Sequence, residues 1–373
     1  MWYYIFAFAF SLIGIYFANN SYKSKGLFFL FSVISLIPPV VIAGFRDHTI
    51  GSDTDFYILP IFTQATSYFL RFDEFVEANP NTDYLYLLYT WLVTRIIKES
   101  YIFLCMNHIM ILLPMYMAAF KFRRYLSPVL FFFIYFLVFY QDSLSIVRQS
   151  MAISFSTLAF AYFLSKKYKI YFVLMVLAFG FHSTVILTFL YPVLLWYLKK
   201  YPLDRYKGKY IILTLLGVFM IINLNFLLMF LINSGVLNTK YLIYTSESDT
   251  FKGGLGVTNF VVKFVVIFFI YKFRTLHKES LFVDFAFGLA ILDLMFCLCA
   301  LLMEPLDRFS LYPRLMSCIT LPYLFRICQK EHQTTLLFLK NILFLFFMAY
   351  WYYVYMLGDY GSTSDYKMVI TLI

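Results

Sequence analysis

Charge is scarce in this chain. Asp, Glu, Lys and Arg make up only 13 % of its 373 residues, against about a quarter in a soluble globular domain. A surface that poor in charge cannot be mostly wetted, so a soluble enzyme is excluded, and so is a disordered chain. Repeats and low-complexity tracts are absent, which excludes solenoids and fibres. The five cysteines are odd in number and sit in or at the ends of apolar runs. They read as small apolar residues, with no disulfide framework and no metal-ligand spacing. Alternating segments of about ten residues are missing, which argues against a membrane β-barrel. No Walker motif, dinucleotide-binding loop or nucleophile elbow is present. Met1 to Phe17 has neither a basic leader region nor a small-residue cleavage site, and reads as a retained helix, not a signal peptide.

What remains is apolar. Hydrophobic residues are 62 % of the chain and aromatics 23 %, with 47 Phe and 33 Tyr. Continuous apolar runs of about 20 residues satisfy their backbone in lipid only as helices. The fold class expected is therefore an all-α polytopic membrane protein, a single transmembrane domain over 1–373 with about 11–13 spans. The runs fall near 2–18, 26–44, 84–97, 101–120, 126–140, 147–164, 170–198, 210–232, 257–271, 281–303, 311–326 and 334–355.

The few charges fix the orientation. The linkers 20–25, 121–125, 165–169, 199–209, 271–280 and 326–333 hold 18 of the 30 Lys and Arg but only three acids, Asp204, Glu279 and Glu331. By the positive-inside bias they are cytoplasmic. The net charge of +10 is then a matter of topology and the anionic inner leaflet, and nucleic acid is not needed as a partner. Loop 45–83 carries Arg46 and Arg71 against seven acids, Asp83 among them, and is placed outside, as are loop 233–256 and the tail after Tyr355. One segment conflicts with this alternation: if 84–97 crossed, the basic linker 121–125 would lie outside. At 14 residues 84–97 is short for a span, and we read it as re-entrant or interfacial.

Charged groups near a membrane-spanning core are costly and are usually paired or functional. Four clusters qualify, all placed by topology at the outer face. The first is Phe45-Arg46-Asp47-His48-Thr49-Ile50-Gly51-Ser52-Asp53-Thr54-Asp55-Phe56-Tyr57, a polar turn where the second helix emerges; its plain alternative is a solvated loop with Asx turns. The second, Ser145-Ile146-Val147-Arg148-Gln149, opens a helix. A helix N-terminus favours anions, and an arginine fork there suits phosphate. Its plain alternative is an interfacial anchor. The third is Gly180-Phe181-His182-Ser183, in the middle of the 29-residue apolar stretch 170–198. That length suits neither one helix nor two full spans, so a break is expected there, with His182 at the outer face. Histidine exchanges protons near neutral pH, although a lone histidine can equally be structural. The fourth is Glu304-Pro305-Leu306-Asp307-Arg308, with Arg314 beyond it; both arginines can also be read as partners of the nearby acids. Lys263 and Asp293, each part-way along neighbouring spans, are expected to pair with each other as a structural ion pair.

In order along the chain, "FRDHTIGSDTDFY", "IVRQSMAISF", "LAFGFHSTVIL" and "DRFSLYPRL" resemble the motifs of the EpsG/Wzy-type O-antigen and exopolysaccharide polymerases; Ser52 stands where threonine is common. The resemblance implies an architecture similar to GT-C membrane glycosyltransferases. It implies transfer of an undecaprenyl-diphosphate-linked glycan onto the non-reducing end of an undecaprenyl-diphosphate-linked repeat unit, at the periplasmic face of a bacterial inner membrane. Neither a cofactor nor a metal is implied; membrane lipids and a chain-length regulator are the other partners. On this view Arg148 and Arg308 take the diphosphate, with Arg46 and Arg314 in support. His182 or Asp53 serves as base, and Gln149 and Tyr57 support the site. The rivals are an O-antigen ligase-like transferase, disfavoured by the modest length of loop 233–256, and a flippase of lipid-linked oligosaccharide, which would line a midplane cavity with charge and often carries inverted repeats.

Overall fold

A computed structural model describes residues 1–67, 71–234, 253–276, 280–302, 307–330 and 334–369. These residues are overwhelmingly helical, and their one β-type pairing is an isolated antiparallel bridge between Arg46 and Met368. In chain order the helices are α1 (Trp2–Asn20), α2 (Lys25–Gly44), α3 (Leu59–Ser67), α4 (Phe72–Ala78), α5 (Tyr84–Thr94), α6 (Ser100–Lys121), α7 (Pro128–Val138), α8 (Tyr140–Ser145) and α9 (Val147–Leu164). They continue with α10 (Tyr168–Phe181), α11 (Leu190–Lys200), α12 (Lys207–Ile222), α13 (Leu224–Asn233), α14 (Gly253–Leu276) and α15 (Leu281–Leu302). Last come α16 (Asp307–Leu315), α17 (Ser317–Lys330) and α18 (Thr334–Trp351). Among the described residues four helices are long and apolar enough to cross a membrane: α1, α2, α6 and residues Leu281–Ala300 of α15. The chain is an all-α polytopic membrane protein.

Several expected spans are divided. Helix α5 has 11 residues, about 16 Å of rise, half of what the hydrocarbon core requires. The doubtful segment 84–97 thus falls short of a crossing. Residues 170–198 break where the glycine and histidine suggest. Helix α10 ends at Phe181, His182 is extended at φ −162° and ψ 119°, and a 3-10 turn covers Ser183–Phe189. The run 210–232 is interrupted at Asn223. Most of loop 233–256 lies outside the described residues.

The helices cluster into two compact units. The first holds Met1–Thr188 and Phe325–Ile373. Helices α1 and α2 form a hairpin that packs tightly at Gly14: a Cβ there would stand 2.8 Å from the Cβ of Ser35. Helix α6 packs against α2 and α9, and α9 against α10. Large rings fill the core, with Phe8 stacked on Phe136 at 4.5 Å and Tyr140 edge-on to Phe8. The C-terminal segment returns to the loop that follows α2. Asp47 N donates to Lys367 O at 2.9 Å, Val369 N to Phe45 O at 2.9 Å, and Tyr366 Oη to Ile42 O at 2.8 Å. Tail and loop therefore share one face of this unit.

The second unit is Phe189–Leu324. Helix α15 packs against α11, α12, α14 and α16. Arg274 clasps the linker Asp204 and the helix Asp284, each at 2.7 Å. Lys263 Nζ lies 2.6 Å from Asp293 Oδ1, the pairing expected from sequence. Lys263 is only 5 % exposed, so removing one partner strands a charge. We expect Lys263→Met to cost about 3–5 kcal/mol and Lys263→Met with Asp293→Leu to recover most of it. Thermal unfolding in detergent checks this; equal losses in the single and double variants would refute the pairing.

Candidate functional site

Two candidate side chains of the first unit, Arg148 and His182, meet on one carboxylate. Asp83 stands at the N-cap of α5, and its carbonyl accepts from Tyr86 N at 3.1 Å and Leu87 N at 3.2 Å. Aspartate is among the best capping side chains, typically worth about 1 kcal/mol. Here the side chain makes no cap bond. It turns away from its own helix. Oδ2 accepts from Arg148 Nη1 at 3.0 Å and sits 3.2 Å from His182 Nδ1, while Oδ1 receives the Ser183 amide at 3.4 Å. The three side chains are 19–23 % exposed.

Local structure explains why they converge. Arg148 is the second residue of α9, next to the bend at Ile146 (φ −98°, ψ 61°) that separates α8 from α9. His182 occupies the break after α10, which packs against both α9 and α5. The ring of Tyr57 lies against the Arg148 guanidinium, 4.5 Å from ring centroid to Cζ, a cation–π contact. Burial pushes the Asp83 carboxyl up. The hydrogen bond and charge of His182, the charge of Arg148 and the Ser183 amide outweigh it and hold the group below its usual range. Asp83 is therefore an anion and only an acceptor at neutral pH.

Of the residues singled out from sequence, Arg148, His182 and Tyr57 are brought together. Asp53 lies at the start of the π-helical turn Thr54–Ile58 that carries Tyr57, close enough for its charge to act on the tyrosine hydroxyl. Gln149, adjacent to Arg148, is buried. Arg46 is used otherwise. It is 3 % exposed, and its guanidinium donates to Ala43 O at 2.5 Å, Ile50 O at 3.1 Å, Leu144 O at 2.9 Å and Thr54 Oγ1 at 3.1 Å. Its donors tie the end of α2 to the following turn and to α8, and it does not present a fork to a ligand. Arg308 and Arg314 belong to the second unit, on α16; Arg308 is exposed and Arg314 half-buried. Glu304, Pro305 and Leu306 lie outside the described residues. Asp83 is the member that sequence reading missed as a site residue. It was visible only as one of the acids marking an outer loop, and "TDYLYLLY" reads as an ordinary helix cap.

The turn that carries this arrangement depends on a glycine. Gly51 has φ +86°, and a Cβ there would come within 2.3 Å of Leu144 O. Its amide donates to Gly361 O at 2.9 Å. Gly51→Ala must therefore both strain the backbone, about 1–3 kcal/mol, and push α8 away. We expect a lowered melting temperature in detergent; an unchanged one would contradict the packing described.

Among the described residues no group of three or more His, Cys, Asp or Glu is placed to hold a metal ion. The chemistry on offer is a planar cation at a helix N-terminus beside an imidazole whose ring nitrogen is held by a carboxylate. That combination suits a membrane protein acting on an anionic group with proton transfer. The sequence comparison agrees in class: residues 27–368 match the model of the EpsG family, and the chain belongs to that family. Membership supports a membrane-embedded polysaccharide-polymerase role of glycosyltransferase type. No curated protein and no solved structure matches the chain.

Proposed function

We propose that this protein extends a polysaccharide by moving a glycan from undecaprenyl diphosphate onto the non-reducing sugar of an undecaprenyl-diphosphate-linked repeat unit. The site faces the periplasm of a bacterial inner membrane, and the scaffold is GT-C-like. The observation that carries the reading is the meeting of Arg148 and His182, 34 residues apart and on different helices, on one carboxylate. The acceptor hydroxyl oxygen attacks the anomeric carbon of the donor. The bond from that carbon to the diphosphate oxygen breaks, and its electron pair leaves with the diphosphate. The hydroxyl proton passes to His182. Negative charge grows on the leaving diphosphate, where the guanidinium of Arg148 at the N-terminus of α9 stabilises it.

His182 is assigned as base in preference to Asp53 because it shares the Asp83 carboxylate with Arg148. Tyr57 orients the guanidinium. Arg308 and Arg314 are assigned to the diphosphate on the family motif, and Arg308→Ala tests this by loss of product. No metal is required by this scheme. Membrane lipids and a chain-length regulator are the remaining partners.

Cells lacking the protein should accumulate its lipid-linked single repeat unit. That material, extracted and given to the purified protein with a chelator, should yield a ladder of longer glycans on undecaprenyl diphosphate, with release of free undecaprenyl diphosphate. Transfer only to another acceptor would favour a ligase. Translocation of the unit across vesicles without a ladder would favour a flippase.

A further inference from the structure

We infer that Asp83 is the positioning residue of this site: it fixes the tautomer of His182 and holds Arg148 and His182 in register. The inference rests on the reading above, in which His182 is the base. Its grounds are geometric. Asp83 leaves its own helix uncapped and spends both oxygens elsewhere. One oxygen takes the Arg148 and His182 contacts together, at 3.0 and 3.2 Å, and the other takes the Ser183 amide at 3.4 Å. An ionised carboxylate only accepts, so the hydrogen between it and the imidazole belongs to Nδ1. A neutral His182 then carries its lone pair on Nε2, the nitrogen on the far side of the ring from Asp83. The Ser183 amide locks the carboxylate to the residue next to the histidine, so that ring and carboxylate move as one.

The arrangement also links base and anion site. Arg148 and His182 use the same oxygen of Asp83, so an anion that draws Arg148 toward its own phosphate oxygens leaves that oxygen to His182 alone. The groups that act with His182 here are Asp83 from the loop before α5, Arg148 from α9 through the shared oxygen, and Tyr57, whose ring lies against the guanidinium. In this role Asp83 touches neither donor nor acceptor and acts through the two residues that do.

The test combines spectroscopy with turnover on the full-length protein in detergent. With ¹⁵N-histidine labelling, five histidines contribute, and the signal missing from His182→Gln is that of His182. Wild-type protein at a pH where this ring is neutral should show Nδ1 protonated and Nε2 unprotonated. Asp83→Asn should shift the ring toward the Nε2-protonated tautomer. It should slow turnover of the extracted lipid-linked repeat unit about 100-fold or more, the usual contribution of a positioned base, with KM within a few-fold. Asp83→Glu should recover part of the rate and the original tautomer. Full turnover in Asp83→Asn, or a lost rate with an unchanged tautomer, would overturn the inference. If Asp83→Asn does not accumulate folded, the wild-type spectrum decides alone, since an Nε2-protonated ring contradicts the proposal. His182→Gln separates the two readings. A fully active His182→Gln refutes His182 as base, whereas an inactive one beside an active Asp83→Asn refutes only the role of Asp83.

Discussion

Arg148→Ala is expected to abolish long-chain polysaccharide while leaving a normal amount of folded protein in the membrane. The guanidinium is one of three groups held by Asp83, and His182 and the Ser183 amide remain on that carboxylate when it is removed. Folding therefore loses little. Catalysis loses a donor aimed at developing negative charge, which in comparable sites costs about 100–1000-fold in rate. Polymer length magnifies that loss, because each long chain is the product of many successive transfers. Slowing every transfer by that factor should collapse the ladder to one or two units. Arg148→Lys keeps the charge but not the planar fork or the stack on Tyr57, so only short chains should return. Gel ladders read beside a blot of the membrane fraction check all three states. A normal ladder from Arg148→Ala would remove Arg148 from the site.

Arg46→Ala should fail in the opposite way, through folding. The side chain is 3 % exposed and spans three backbone carbonyls and Thr54. Removing it strands several buried acceptors at about 1–3 kcal/mol each, which places the variant among the most damaging of single substitutions. It also frees the turn whose bridge to Met368 anchors the C-terminal segment. The expected result is a sharp fall in monodisperse protein on size exclusion and a lower melting temperature, with Arg46→Lys intermediate. The contrast with Arg148→Ala is diagnostic. Were Arg46→Ala to fold and melt like wild type yet make no polymer, Arg46 would be a ligand residue and not a strut.

These two arginines show what the sequence could and could not convey. The sequence-based topology assigns both to the face that positive-inside bias keeps poor in arginine, and from that alone they look equivalent. What separates them is tertiary. Leu144 O, a distant backbone atom, completes the cage around Arg46, and no pattern of side chains announces a carbonyl. The break at His182 was legible because length and composition disagree there: 29 apolar residues with Gly180 and His182 in the middle fit no single span. The Lys263–Asp293 pair was legible for a related reason, since a lone charge in an apolar helix demands a partner. The shortness of α5 was visible as a conflict in topology. Asp83 was not, because an aspartate before a helix has a sufficient local explanation as a cap, and only the fold shows its carboxylate turned elsewhere. The pairing of Lys367 and Val369 with the loop at Phe45 and Asp47 was equally hidden, being made by backbone atoms that every residue carries.

The central claim is that the cluster of Asp83, Arg148 and His182 performs glycan transfer from a polyprenyl diphosphate. Its most direct test is the purified His182→Gln variant, matched to wild type in melting temperature and given the lipid-linked repeat unit extracted from cells lacking the protein. Wild type should build a ladder and release undecaprenyl diphosphate, and the variant should leave the single unit unconverted over the same time. A ladder from His182→Gln at the wild-type rate would contradict the account.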